Sequence, residues 1–206
     1  MQALRAMQTI AVLAFCFGIL APAAGRAKEA DAGAFLKALS REASDRLGGE
    51  GLTEAQKQES FRELFRSSFD IPTISRFVLG KYWRIATEAQ RRDFTAAFEE
   101  LQMQRFLPQF AKYNEEAFTV ESVQPEPTRS GMFKVGSTIS RAEGEPISVV
   151  WRVRDTGESY KILDVVAEGV SMAISLRHEY GEIARTYGID GLIEQMRSKS
   201  AELAAQ

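Results

Sequence analysis

Along the first half of the chain, apolar positions recur at helical spacing. Phe35, Leu36, Leu39 and Leu47 share one side of a helix over residues 29–47, which Gly48-Gly49 closes. The run Thr53-Glu-Ala-Gln56 is a capping box, in which hydroxyl and amide side chains three residues apart satisfy backbone N–H groups reciprocally. It opens a helix that uses Phe61, Leu64, Phe65 and Phe69. A second box, Thr87-Glu-Ala-Gln90, precedes Phe94, Phe98 and Leu101, with Phe106, Phe110 and Tyr113 further on. The step from Leu101 to Phe106 breaks the helical period, and Pro108 is expected to kink or end that helix. Between the two lies FDIPTISRFVLGKYW, residues 69–83. Asp70 suits an N-cap, Pro72 the first turn, and Gly80 a loosening or stop before Tyr82 and Trp83. Its Ile71, Ile74, Phe77, Val78, Leu79, Tyr82 and Trp83 do not fit one narrow stripe.

The second half changes period. Phe118–Val123 alternates, Pro125 and Pro127 make a turn, and residues 132–140 place Phe133, Val135 and Ile139 on one face. Residues 147–154 set Ile147, Val149, Trp151 and Val153 against Ser148, Val150, Arg152 and Arg154. After Asp155-Thr-Gly157, residues 160–167 group Ile162, Asp164 and Val166 on one side if the alternation is unbroken. Four strands with short turns predict an antiparallel meander. A helix then runs to Tyr187, stops at Gly188, and is followed by a last helix from about Asp190 using Leu192, Ile193 and Met196. Helices, a curved four-stranded sheet and helices again predict an α+β cone or half-barrel. No repeat or linker divides it.

The start of the chain bears on location. Arg5, the eleven-residue apolar run Ile10–Leu20 and the small residues after it have the order of a secretory signal peptide. Cleavage is expected after Ala23 or Ala27, leaving residues 28–206 as one domain. The run falls short of the about 20 residues that span a bilayer. Cys16, the single cysteine, lies within it behind Phe15, so neither lipidation nor a disulfide in the exported domain is expected. With 26 Lys and Arg against 28 Asp and Glu, the chain lacks the basic excess that nucleic acid requires.

Sites of reaction are sparse. His178, the one histidine, reads as a solvated surface group, and the usual zinc ligand sets are missing. Asp164 on an apolar strand face would suit a general base of raised pKa, but it equally suits a solvent-facing acid or a partner of Arg152 or Arg154. Glu168, before a glycine at a strand end, reads as a partner for a base or a helix end. What stands out is aromatic loading between Phe61 and Phe118. Such a stripe ordinarily fills a core. The crowding of residues 71–83 over a concave sheet also allows the wall of a cavity, and hence a carrier of something apolar.

Two stretches carry a family resemblance. FDIPTISRFVLGKYWRIATEAQRRDF (69–94) resembles the signature region of the MlaC, or toluene-tolerance, family. YKILDVVAEGVSMAISLRHEYGEIARTYGIDGLIEQMR (160–197) is similar to that family's closing segment. The resemblance implies an NTF2-like fold that holds lipid tails between sheet and helices, with the headgroup outside. It implies a soluble periplasmic carrier, not an enzyme, without stable membrane insertion. Its cargo would be phospholipid, with no other cofactor. Its partners would be an inner-membrane ABC transporter complex and an outer-membrane lipoprotein complex. One branch of the family makes a hopanoid or other polycyclic lipid the alternative cargo; an NTF2-like enzyme using Asp164 is the alternative of a different class. The family transfers no short site motif, so lipid-contacting positions follow from pattern alone. They are Phe69, Ile74, Phe77, Val78, Tyr82, Trp83, Phe98, Phe106, Phe110, Val149, Trp151, Val153, Ile162, Val166 and Met172.

Overall fold

The computed structural model describes residues 23–48, 51–110, 118–140 and 144–205. The expected signal peptide lies almost wholly outside them. Helix α1 covers Ala23–Leu47, and Gly48 closes it with an N–H to the Ser44 carbonyl. Helix α2 (Glu54–Ser68) begins at the complete Thr53/Gln56 capping box and buries Phe61, Leu64 and Phe65. The chain then extends at Phe69, which bridges to Ile162, and turns into α3 (Ile71–Leu79) under the Asp70 cap. Gly80, at φ 60°, ends α3, and the single turn α4 (Tyr82–Ile85) follows. Helix α5 (Glu88–Phe110) opens on the reciprocal Thr87/Gln90 bonds and runs unbroken past Leu101. Met103 and Leu107 are buried there, filling the interval where the aromatic period lapsed. Pro108 sits within the last described turn of α5.

Strands β1 (Phe118–Pro125), β2 (Met132–Ile139), β3 (Ile147–Asp155) and β4 (Tyr160–Ala167) form the expected meander. A two-residue β5 (Val170–Ser171) adds a fifth strand beyond the four expected, paired to the end of β4. Helix α6 (Met172–Ala204) is interrupted at Gly188, whose φ of 72° and ψ of 178° leave the helical region. That φ is open to glycine and strained for other side chains, so the sequence stops one helix and starts another there.

One register detail alters the faces of β4. Arg152 pairs with Asp164 and Val153 with Ile162, so Leu163 is an extra residue, a bulge. Because side chains alternate with period two, one extra residue turns everything beyond it to the other face. Ile162 therefore shares the inner face with Val165 and Ala167, across from Val153, Trp151 and Val149, while Val166 lies with Val150 on the outer face. The expectation of unbroken alternation fails at this point.

Apolar packing forms two bodies. One joins α2, α3, α5, α6 and the end of α1 around Phe94, Phe98, Leu101, Val78 and Tyr180. The other joins the first half of α1 to the sheet around Ala32, Leu36, Phe133, Val135, Val153 and Ile162. Asp70 ties them: its side chain caps α3 and pairs with Arg154, and its N–H donates to the Ile162 carbonyl.

Candidate functional site: an apolar cavity between helices and sheet

Between the two packed bodies lies a cavity of about 380 Å³, within the range of about 300–1,000 Å³ typical of small-molecule pockets. Helix α1 supplies Leu36, Leu39 and Ala43; α2 supplies Phe61, Leu64 and Phe65, followed by Phe69. Helices α3 and α5 supply Ile74, Phe98 and Phe106. The floor is sheet: Phe118, Ile139, Ile147, Val149, Trp151, Leu163, Val165 and Ala167. The first turn of α6 closes it with Met172, Ala173 and Leu176.

Seven of the fifteen expected contact residues line this cavity: Phe69, Ile74, Phe98, Phe106, Val149, Trp151 and Met172. The others sort by packing. Val78 is fully buried inside the helix cluster, and Tyr82 and Trp83 pack on its outside. Phe77 points outward, 41 % exposed, beneath the Arg177 guanidinium, which stacks 4.8 Å above its ring and donates to its carbonyl. Thus one residue of the crowded 71–83 segment, Ile74, faces the cavity; Ile71, Val78 and Leu79 pack into the helix cluster, Tyr82 and Trp83 lie against it, and Phe77 stays outside under Arg177. Val153 and Ile162 are on the inner face but fill the solid end of the sheet against Ala32 and Leu36. Val166 is turned away by the Leu163 bulge. The Phe110 side chain lies outside what is described.

The apolar stripes of α1 and α2 bring Leu36, Leu39, Phe61, Leu64 and Phe65 to the wall, none of them among the expected contacts. Gln102 also lines the cavity. It lies one turn from both Phe98 and Phe106, so position alone places it on their face.

Four lining side chains are polar: Ser40, Ser68, Gln102 and Asp164. Gln102 Nε2 donates to the Tyr180 hydroxyl at 3.1 Å, while its Oε1 has no partner among the described residues. Burial pushes the Tyr180 phenol up to about 12. The one charged lining group, Asp164, is neither solvated nor paired with an arginine. Arg152 holds Glu126 and Arg154 holds Asp70. Asp164 instead accepts from the Ser171 hydroxyl at 2.6 Å and from the Ala173 N–H at 3.0 Å, and Ser171 Oγ accepts from Ile174 N–H. The carboxylate therefore fastens the N-terminus of α6, where the helix dipole favours negative charge. Glu168, at φ 49°, takes the Ser148 N–H with its carboxylate and prolongs the β3–β4 ladder, rather than meeting a base or helix end.

The Trp151 indole N–H is also satisfied, donating to Ser137 Oγ at 2.8 Å, and the Phe118 ring meets it edge-on. With its indole satisfied by protein and its carboxylate engaged, the wall suits an aliphatic occupant. Among the described residues no group of acids, histidine and cysteine gathers to hold a metal ion, and no helix is long and apolar enough to cross a membrane.

Comparison with known proteins agrees with this geometry. Over 128 residues the chain is 28 % identical to the intermembrane phospholipid transport system binding protein MlaC of Haemophilus influenzae. That match covers 61 % of this chain and 59 % of the relative's own length. A phospholipid-binding protein of Ralstonia solanacearum, solved in complex with a phospholipid, superposes with a TM-score of 0.72. The superposition covers 84 % of this chain and 99 % of that one, at 19 % identity, and is a likeness of fold. The sequence pattern described as MlaC protein matches residues 37–198, more than three-quarters of the sequence. The chain belongs to the MlaC family.

Proposed function

We propose that the protein is a soluble periplasmic lipid carrier that holds phospholipid acyl chains in the α1–α2–α5–sheet cavity. In this reading it moves lipid between outer- and inner-membrane complexes of an Mla-type ABC transport system. The observation that carries the reading is the cavity wall, built of aliphatic and aromatic side chains with one carboxylate already spent on α6. Each methylene withdrawn from water is worth about 0.8 kcal/mol, so an unescorted two-chain lipid leaves a bilayer very slowly. A dry wall of Phe61, Phe65, Phe98 and Trp151 replaces the bilayer interior for the tails. Release requires a partner that favours a conformation of lower lipid affinity, because only a difference in affinity between states shifts occupancy. The signal-peptide pattern of residues 1–27 supports export, with cleavage after Ala23 or Ala27.

Native mass spectrometry and lipid extraction of protein purified from its own periplasm test this. Co-purified phospholipid is expected. A polycyclic hopanoid in its place would change the cargo, and a protein that is empty and takes up no added phospholipid would overturn the reading.

A further inference from the structure

The strongest feature outside the cavity is a corner where α3 ends and α4 and α5 begin. Residues 76–92 contain five bases, Arg76, Lys81, Arg84, Arg91 and Arg92, against one acid, Glu88, in a chain that is acidic as a whole. Six arginines elsewhere, Arg46, Arg62, Arg66, Arg152, Arg154 and Arg185, each hold a carboxylate. At this corner Arg76, Lys81, Arg84 and Arg92 are exposed and carry no ion pair among the described residues. Arg91 is spent on the Trp83 carbonyl, and its guanidinium lies 5.7 Å from the Trp83 ring centroid.

The same corner pushes apolar surface outward. Ile85, on the single turn α4, is 74 % exposed, the most exposed large hydrophobic side chain described. Tyr82 and Trp83 flank it, each half-buried and each beneath a cation. An exposed Ile85 on a short turn beside the unpaired Lys81 and Arg84, with Arg92 following at the start of α5, matches an anionic lipid surface. Headgroup charge attracts the bases, aromatic rings sit at headgroup depth, and the aliphatic tip enters the acyl boundary.

We propose that the α3–α4 corner docks the protein peripherally on an anionic lipid surface, through Lys81, Arg84 and Arg92 around Ile85. A single four-residue turn is a small patch beside the about 800 Å² per partner that a standard protein interface buries, so a fluid headgroup layer suits it better than a folded acidic face. Docking of this kind is separate from what fills the cavity, so it stands or falls independently of the cargo.

Co-sedimentation of the full exported domain with vesicles tests it. One set is phosphatidylcholine alone, the other phosphatidylcholine mixed with phosphatidylglycerol. The protein is expected to bind the mixed vesicles, to be released by salt, and to ignore the neutral ones. Neutralising three bases together (Lys81→Gln, Arg84→Gln and Arg92→Gln) is expected to weaken binding on the order of a hundredfold, about fivefold per base. Ile85→Ser should weaken binding while leaving its salt release intact. Neutralising two exposed bases elsewhere, Arg129→Gln with Lys134→Gln, should change little, and unchanged thermal unfolding confirms that each variant is folded. Equal binding to both vesicle types would overturn the proposal, as would a triple variant that binds like the parent. Failure to bind mixed vesicles at low salt would overturn it too.

Discussion

Asp164 illustrates how a single carboxylate can sit at a cavity and yet serve the scaffold. It fixes Ser171 and the Ala173 N–H, so the first turn of α6 stays against β4 with Met172 and Leu176 directed at the cavity. Asp164→Ala would leave a buried N–H and hydroxyl without their acceptor, and each such loss costs about 1–3 kcal/mol. Urea unfolding should show a destabilisation of that order. Asp164→Asn keeps an acceptor and should retain bound lipid; loss of a catalytic turnover in that variant would favour the enzyme alternative. The role of Asp70 was readable because its cap partner, Thr73, is three residues away. Asp164 was not, because a strand turn and β5 bring residues seven and nine positions on back to it. Only the folded hairpin creates that proximity.

Among the elements, β4 decides which side chains floor the cavity. The helix starts were legible at Thr53, Asp70 and Thr87 because capping is local chemistry. The faces of β2 and β3 were legible because their alternation is unbroken. The Leu163 bulge has no signature in the sequence, since an extra leucine in an apolar strand looks like any other strand residue. Two tryptophan substitutions on paired strands read out its effect. Val149→Trp projects into the cavity and should displace lipid while the domain stays folded. Val166→Trp, on the outer face, should leave lipid bound. Lipid extraction with circular dichroism on both variants distinguishes this register from unbroken alternation, in which both substitutions would empty the cavity. The crowded 71–83 segment shows the complementary limit. Its apolar excess was visible, but hydrophobicity does not say whether a side chain meets protein, as Val78 does, or a hollow, as Ile74 does.

At the scale of the molecule, the α5–α6 contact imposes a pH limit. Tyr180 is almost wholly buried between Phe94 and Phe98, with its phenol raised to about 12 by desolvation. The group is neutral when protonated and its folded pKa lies above the unfolded value of about 10. Its contribution is therefore complete below pH 10 and is lost as pH rises toward 12. A shift of about two units amounts to at most about 3 kcal/mol. Urea unfolding across that interval should fall steeply for the parent protein and more gently for Tyr180→Phe. The overall architecture was legible because periodicity changes only twice, from helical to alternating and back. The position of the cavity was not, since it depends on where two separately packed bodies fail to meet.

That failure to meet has a mechanical consequence. A space walled by Phe61, Phe98, Val149 and Trp151 is one that water fills poorly, and unfolding abolishes it. Compression favours whichever state occupies less volume, and the volume lost on unfolding scales with internal void. The empty protein should therefore yield to hydrostatic pressure sooner than the same protein loaded with lipid. Tryptophan fluorescence under pressure would record the difference as a displaced midpoint. In that sense a bound lipid would be a structural component, and the empty protein the softer of the two states.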